Sequence, residues 1–463
     1  MLGIAALLIR LGSAHVTDWS RDGEFLIDTN VVYFPDTNSQ YKPSIAFDSS
    51  NYLVVWEDDR NDVHRDIYGA RVDKLGNVLD PIAIAVSTAQ DGQWNPAIAF
   101  DGTNYLVVWK DRRSDSSQIY GARVSQSGQV LDTSGIVIFS NPSPAFGPSV
   151  AFGSTNYLVV WSFNGNIRGF RVNHDGVVLD SIPIVVSAAL RAQVSPKITF
   201  DGTNYFVIWE DFRNDPTSWY SDIYGARVSQ EGIVLDPSGI SIGATAHGQM
   251  NPSLAFGDTM ILVTWLDNRL GLDWDIYGAR VSLDGNVLDP SGIPITASPV
   301  NEDNPAVSFD DTDFIVVWNA LGEDMSDNIY GAKVSPSGAI IDTFSISLQA
   351  GDQIKPAITR SDGDQLMITY CGWTDFVGGN YVNTMRIWGK FFPFVGLEED
   401  EMVCLKQNRL VSTIIKGPML LPEDKQCKVY NITGRFVEPD KIQPGIYFIE
   451  IDGVITQKVV KVR

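Results

Sequence analysis

Pro43-Ser44-Ile45-Ala46-Phe47, followed by a polar turn and then by Asn51-Tyr52-Leu53-Val54-Val55-Trp56, is the stretch whose reading decides the fold. The pattern occurs seven times between residue 41 and about residue 392. Its prolines are Pro43, Pro96, Pro148, Pro196, Pro252, Pro305 and Pro356, and the matching strand-end aromatics are Trp56, Trp109, Trp161, Trp209, Trp265, Trp318 and Tyr370. The repeat spacing of 48 to 56 residues falls among propeller-type repeats and is longer than that of helical solenoids.

Each unit reads as four short strands. Pro-x-Ile-Ala-Phe is strand a, Tyr-Leu-Val-Val-Trp is strand b, Asp66-Ile67-Tyr68-Gly69-Ala70-Arg71-Val72 is strand c, and Gly76-Asn77-Val78-Leu79-Asp80 opens strand d. Turn chemistry separates them, as at Asp101-Gly102-Thr103-Asn104 between a and b, and Ser127-Gly128 or Asp284-Gly285 between c and d. No stretch carries a helical period long enough to compete. A row of separate sheets would leave terminal edges unpaired, and closing it into a ring removes them. Gly23-Glu24-Phe25-Leu26-Ile27-Asp28 matches the start of strand d yet precedes the first strand a, while the seventh unit ends at its strand c, Met385-Arg386-Ile387-Trp388-Gly389-Lys390. The expected fold is all-β: a seven-bladed β-propeller over 22–396 closed by an N-terminal strand, followed by a small C-terminal β-sandwich over 397–463.

The 463 residues leave room for both domains. The formal net charge of −22 lies in residues 1–396, because 397–463 holds 10 Lys/Arg and 10 Asp/Glu. So acidic a surface argues against nucleic acid and against anionic lipid as partners. Residues 1–21 read as a signal peptide and leader, from the apolar run Met1–Ile9 followed by Gly12-Ser13-Ala14, although Arg10 interrupts the run and no basic segment precedes it. A start site set too far downstream accounts for both departures, and a disordered apolar terminus is the other reading. No other stretch is apolar enough to span a bilayer as a helix. Of the three cysteines, Cys371, Cys404 and Cys427, the last two could pair in an exported protein or stay as buried thiols.

The repeat stops at Phe391-Phe392-Pro393-Phe394, and an acidic linker, Glu398-Glu399-Asp400-Glu401, follows. Beyond it, strands are expected at 427–432, 445–451 and 458–462, with turns at Thr433-Gly434 and Asp452-Gly453. Three motifs stand in order: Lys428-Val429-Tyr430-Asn431-Ile432-Thr433-Gly434-Arg435, Gln443-Pro444-Gly445-Ile446-Tyr447-Phe448-Ile449, and Lys458-Val459-Val460-Lys461-Val462-Arg463. Together they resemble the C-terminal sorting domain of the bacterial type IX secretion system. The resemblance implies export across the outer membrane of a Gram-negative-type envelope by way of 397–463, and a secreted or cell-surface location. Upstream of the first motif, Gln407-Asn408-Arg409-Leu410 departs from the usual Asn-Pro-containing strand. The propeller repeats are similar to those of secreted bacterial propellers and, loosely, of the TolB-type family. The Ser-x-Asp-x-Gly-x-x-Trp box of sialidases is absent.

The most repeated polar motif is Trp-x-Asp-x-Arg, which pairs Asp58 with Arg60, Asp111 with Arg113, Asp211 with Arg213 and Asp267 with Arg269. An Asp and an Arg two apart at the end of strand b suit charge-assisted bonds that bridge the two or cap the b–c loop, a structural role. The d–a and b–c loops share one face. There, two residues before each strand-a proline, stand Tyr41, Trp94, Phe146, Val194, Met250, Asp303 and Ile354, expected to line the channel mouth, with Gln40, Gln93, Gln193, Gln249 and Gln353 bracing the loops. Irregular b–c loops add Trp219 and Tyr220 in the fourth unit and Trp274 in the fifth. Tyr41, Trp94, Phe146, Trp219, Tyr220 and Trp274 are therefore the candidate ligand-binding residues, either as aromatic platforms for a polysaccharide or a surface protein or as loop packing.

Nothing in the sequence points to a catalytic constellation. The four histidines, His15, His64, His174 and His247, form no Ser-His-Asp arrangement, and no metal-ligand spacing occurs. Carboxylates such as Glu57, Asp58, Glu210 and Asp211 are plentiful but unpaired by sequence alone, and Asp362-Gly363-Asp364 is the one suggestion of calcium, with no other cofactor expected. The sequence is read as a non-enzymatic binding or adhesion module. The alternatives are a carbohydrate-active propeller enzyme, a glycoside hydrolase or lyase, using acidic residues at the channel mouth, and a structural envelope protein.

Overall fold

The computed structural model describes residues 23–28, 39–60, 64–114, 116–215, 217, 219–271, 273–322, 325–363, 365–377 and 380–392, and further along the chain 411–415, 427–431, 437, 445–451 and 454–461. Through residue 392 it is a seven-bladed β-propeller built from four-stranded sheets. Blade 1 runs a Gln40–Phe47, b Asn51–Asp58, c Asp66–Asp73 and d Ile84–Ser87, each antiparallel to the next. Among the described residues no helix is long and apolar enough to cross a membrane.

Strand b explains why the units stack. In blade 1 every side chain from Tyr52 to Trp56 is fully buried, which a strand with one solvated face would not allow. Alternate residues of the strand face opposite neighbours. Leu53 and Val55 pack with Tyr105, Val107 and Trp109 of blade 2, whereas Tyr52, Val54 and Trp56 pack with Met367, Cys371 and Ile387 of blade 7. Burying a side chain of this size contributes roughly 1.5–3 kcal/mol, so the inter-blade seams carry most of the fold's hydrophobic stabilisation.

Strand d begins later than the sequence suggests. Gly76–Asp80 forms a turn held by a single Val72–Val78 bridge and by Arg71, whose backbone N–H and Nε donate to Asp80 Oδ2 at 2.9 and 2.8 Å. The same clamp joins Arg123 to Asp132, Arg171 to Asp180, Arg227 to Asp236 and Arg280 to Asp289. The ladder proper starts at Ile84, opposite Gly69. Blade 7 consists of Gln353–Arg360, Leu366–Val377 and Asn380–Phe392, and Glu24–Leu26 pairs with the last of these in the register Glu24↔Lys390, Phe25↔Gly389, Leu26↔Trp388. Phe25 thus corresponds to Ile84, so the N-terminal segment matches the later part of strand d and not the Gly-x-Val-Leu-Asp turn.

The chain divides into two compact units, Met1–Pro393 and Phe394–Arg463. In the second, Val411–Ile415, Val454–Lys461, Gly445–Ile451 and Cys427–Asn431 form one four-stranded sheet in that order, with the first pair parallel. A second layer of the expected sandwich is not among the described residues. The leader 1–21, the linker 398–401, Cys404, the Cys427 side chain and Asp364 also lie outside them.

Candidate functional site

Every strand a carries a β-bulge at the same place, seen as a register shift between Tyr41 and Ser44 in blade 1 and at matching positions in the other six blades. The residue before the proline adopts a left-handed backbone each time: Lys42 (φ 50°), Asn95 (56°), Gly147 (56°), Ser195 (54°), Asn251 (51°), Asn304 (52°) and Lys355 (55°). A bulge adds a residue and resets the in/out alternation of the strand. These residues and the three that follow each of them therefore enclose the central channel, a cavity of about 490 Å³. Tyr41, Trp94, Phe146 and their equivalents, expected at the mouth, are not in the wall; each lies opposite a strand-b residue, as Tyr41 opposite Glu57 and Trp94 opposite Lys110.

Among the described residues the charged side chains in the channel wall are Lys42, Lys197 and Lys355, although the chain as a whole has a net charge of −22. Carboxylates stand just behind the wall. Glu57, fully buried, accepts the Asn95 backbone N–H at 2.9 Å, pairs with Lys42 Nζ at 3.3 Å and pairs with Arg65. Its blade 4 equivalent, Glu210, accepts the Asn251 N–H at 3.0 Å. In blade 6 Asn319 does the same for the Lys355 N–H at 3.3 Å, so these side chains tie one blade's bulge to the next.

Lys197 differs from the other two lysines because it projects from the middle of strand a into channel solvent while protein surrounds it. That enclosure lowers its ammonium pKa, the Lys42 charge lowers it further, and Glu210 partly offsets both. Burial raises the Glu210 carboxyl, against the Asn251 N–H, Ser195 and Lys197. Lys197 in the wall thus gives up its proton more readily than usual, and Glu210 behind the wall holds a proton more tightly than usual. The sequence carried a signal for Lys197, since the other blades have Ser44, Ala97, Ser149, Ser253, Ala306 and Ala357 in that place.

The candidate aromatics fall into separate groups. Trp94 and Phe146 flank the Lys110 ammonium, 5.0 and 4.9 Å from their ring centres. Arg65 covers Tyr41 at 4.1 Å. Tyr220 meets His247 edge-on at 5.5 Å, and both Tyr220 and Trp274 abut Gly248. Trp219 is 79% exposed, its N–H bound to Asp215, which also accepts the Tyr220 N–H and caps the loop. Cations or neighbouring rings already occupy several of these faces.

The Trp-x-Asp-x-Arg residues build a latch that reaches further than the b–c loop. In blade 1 Trp56 Nε1 donates to Asp58 Oδ2 at 2.8 Å, Arg60 Nε donates to Asp58 Oδ1 at 2.9 Å, and the guanidinium lies 4.1 Å over Tyr68. In blade 2 Trp109 and Arg113 both donate to Asp111 Oδ2, at 2.8 and 2.6 Å, and Arg113 lies 4.1 Å over Tyr120. In blade 4 Trp209 and Arg213 share Asp211 Oδ2 at the same two distances, and Arg213 lies 4.1 Å over Tyr224. Blade 5 repeats the arrangement with Trp265, Asp267, Arg269 and Tyr277.

The arginines depart from the expectation of a bond confined to strand b and its loop. Arg113 crosses strand c to donate to the Ser134 carbonyl at 2.7 Å, and Arg213 likewise reaches the Ser238 carbonyl at 2.6 Å, both in the turn ahead of strand d. Arg60 and Arg269 make the matching bonds to Ile82 and Ser291. The reason is the tyrosine on strand c, whose ring the guanidinium covers on its way outward. The four latches are also not identical: Arg113 Nε donates to Asp111 Oδ1 at 2.9 Å, whereas Arg213 Nε has no hydrogen-bond partner among the described residues.

Gln93 and Gln193 brace their own d–a loops, donating to the Asp91 and Arg191 carbonyls at 2.7 Å. Asp362 is paired with Lys74, and among the described residues no group of His, Cys, Asp or Glu is arranged to hold a metal ion.

No protein family matches the chain, and no curated protein is similar to it in sequence. Solved structures do resemble it in fold. A GH43 endo-arabinanase from Bacillus licheniformis is 14% identical, with a TM-score of 0.34 over 55% of this chain and 99% of that one. A thermostable family-43 glycoside hydrolase is 12% identical, with a TM-score of 0.38 over 70% and 98%. A subtype N10 neuraminidase-like protein of A/little yellow-shouldered bat/Guatemala/060/2010 is 11% identical, with a TM-score of 0.41 over 64% and 94%. At these identities the likeness is one of fold. The similar structures whose names state an activity include glycoside hydrolases, and the expectation of a non-enzymatic adhesion module, which weighed against an enzyme, is corrected on that finding.

Proposed function

We propose that this protein is a carbohydrate-active propeller enzyme that cleaves an anionic polysaccharide at the central channel. The observation that carries this reading is the lysine-only set of wall charges, Lys42, Lys197 and Lys355, with the Glu210 carboxyl beside Lys197. Lysine ammoniums in a narrow, partly desolvated channel select a carboxylate-bearing sugar over a neutral one. Lys42 and Lys355 hold the uronate carboxylate, and Trp94, Phe146 and Lys110 flank the approach to it.

Between hydrolysis and β-elimination, the lowered Lys197 pKa favours elimination, because an amine that is neutral more of the time can act as a base. Lys197 takes the proton from the carbon next to the uronate carboxylate, and the C–H electron pair forms a carbon–carbon double bond. The glycosidic C–O bond breaks, and its oxygen leaves with the Glu210 proton. The test incubates the full chain with polygalacturonate, alginate and neutral arabinan, following reducing ends together with the ultraviolet absorbance of the new double bond. Reducing ends with absorbance from an acidic polymer, lost in Lys197→Met and Glu210→Gln, are expected. Reducing ends without absorbance would replace elimination by hydrolysis, and no product from any polymer would end the enzyme reading.

Two further parts of the reading concern the rest of the chain. The pairing of Glu24–Leu26 with blade 7 closes the ring, supported by Asp28, which ion-pairs with Arg60 of blade 1. Residues 397–463 serve as a type IX sorting domain that directs the propeller to the cell surface or the medium, a role supported by the three ordered motifs. Deleting 397–463 and finding the propeller exported as before would remove that role.

A further inference from the structure

Four blades hold an arginine between the strand-b tryptophan and the strand-c tyrosine. In blade 5 Arg269 lies 3.8 Å over the Tyr277 ring, donates to both Asp267 oxygens at 2.9 and 2.7 Å and reaches the Ser291 carbonyl at 2.7 Å. Blade 6 keeps the frame around this arginine and lacks the arginine itself. Trp318 faces Tyr330 as Trp265 faces Tyr277, and Glu302 stands opposite Ala320 where Gln249 stands opposite Asp267. Counted from the tryptophan, Ala320 replaces the aspartate and Gly322 the arginine.

The space this frees is an open cavity of about 630 Å³, within the range of small-ligand sites, bounded by Thr296, Glu302, Trp318, Ala320, Tyr330 and Phe344. Blades 3 and 7 also lack the pair, but aromatic side chains fill the place, Phe139 reaching blade 3 from strand d of blade 2. Phe139, Phe163 and Phe170 crowd around Trp161 in blade 3, and in blade 7 Trp388 takes the tyrosine's position and donates to Thr374 Oγ1 at 3.2 Å. The blade 6 cavity also has its own acid. Glu302 is 4% exposed, and its Oε2 accepts from the Thr296 hydroxyl and, at 3.1 Å, from the Ile276 N–H. Burial pushes this carboxyl up to about 7, and among the described residues no cation offsets that push.

We propose that the blade 6 cavity is a binding site for a guanidinium group supplied by a ligand, stacked on Tyr330 and bonded to the Glu302 carboxylate as Arg269 is stacked on Tyr277 and bonded to Asp267. A planar guanidinium suits the site better than an ammonium, because it stacks on a ring and bonds a carboxylate in its own plane at the same time. A free small guanidine and an arginine side chain of a peptide offer the same group.

The test is isothermal titration calorimetry on the full chain with agmatine and with acetyl-argininamide, using acetyl-citrullinamide as the uncharged isostere. Saturable binding of either guanidine and none of the citrulline compound is expected. Preference for agmatine identifies a small-molecule source and preference for acetyl-argininamide a peptide. Glu302→Gln should weaken binding by about tenfold or more, since it removes the charge assistance. Ala320→Asp/Gly322→Arg, which rebuilds the blade 5 filling, should abolish it. Silence with both guanidines, equal binding of the citrulline compound, or unchanged affinity in the refilled protein would overturn the proposal. Should the refilled variant not fold, Glu302→Gln and Tyr330→Leu decide it, and undiminished affinity in both is the overturning result.

Discussion

Blade 5 and blade 6 are adjacent and share register, tryptophan and tyrosine, yet one is latched by Arg269 on the buried Asp267 carboxylate and the other, among the described residues, by nothing equivalent. Blade 3 uses a third solution, with Phe139 and Phe170 packed against each other and against Trp161, whose indole N–H has no hydrogen-bond partner among the described residues. The backbone accommodates all three. The blade is therefore specified by the doubly buried strand b and the bulged strand a, and the latch is a replaceable insert whose chemistry can differ from blade to blade.

The largest effect is expected where a buried charge loses its partner. Asp267→Ala leaves the Trp265 N–H without its acceptor and the Arg269 guanidinium with the Ser291 carbonyl in place of a carboxylate, and denaturant unfolding should register a loss of about 3–5 kcal/mol. Asp267→Ala/Arg269→Gly, which converts blade 5 to the blade 6 pattern, should recover a good part of that loss. A double variant no more stable than the single one would break the comparison.

Next comes the pH dependence of blade 6. Glu302 has a folded-state pKa raised to about 7, so the folded state holds its proton more tightly than the unfolded chain does. The associated stability is fully present below the ordinary carboxylate range and is lost as pH rises through about 7, amounting to roughly 3 kcal/mol across that window. Glu302→Gln should remove this slope, leaving the protein more stable than wild type at pH 8 and little changed at pH 4. Parallel Tm-against-pH curves for the two proteins would show that Glu302 is not the source.

Phe139→Ser gives blade 3 the residue that Ser87 supplies to blade 2. It should cost about 2–3 kcal/mol, because Trp161, Phe163 and Phe170 cannot close over the gap. The smallest change expected is Trp94→Leu, which removes one of the two rings around Lys110 and should lower stability by about 0.5–1 kcal/mol, fading at high salt. A loss of several kcal/mol there would make Trp94 a core residue.

Much of the fold was legible in the sequence because it repeats. Seven copies of Pro-x-Ile-Ala-Phe and Tyr-Leu-Val-Val-Trp fix strands a and b, and the recurring Asp and Arg mark the latch. The far ends of that latch were hidden, because the carbonyls that Arg113 and Arg213 reach belong to Ser134 and Ser238, more than 20 residues along the chain, and every residue offers a carbonyl. The channel wall was not legible, because the position two residues before the strand-a proline suggests Tyr41 for the mouth, whereas the bulge at the left-handed Lys42 puts Lys42 in the wall. Strand d was placed too early because Val78, Leu79 and Asp80 have strand-like residues, although Asp80 is committed to clamping Arg71. The blade 6 vacancy left a trace that only the repeats reveal: Glu302 stands in a column otherwise occupied by Gln40, Gln93, Gln193, Gln249 and Gln353, with Ala145 in blade 3. Lys197 and Glu210 are 13 residues apart on neighbouring strands, and their mutual effect depends on desolvation that spacing does not encode.

The left-handed residue ahead of each channel proline has a consequence for how such a protein diversifies. Its backbone is imposed by the bulge, so its side chain is free to vary within the short alphabet that tolerates positive φ; a β-branched or bulky residue there is a strong conformational outlier. The seven positions read Lys, Asn, Gly, Ser, Asn, Asn and Lys. Each can be exchanged without disturbing the hydrophobic seams between blades, so a duplicated gene could alter the charge of its channel one residue at a time while every intermediate still folds.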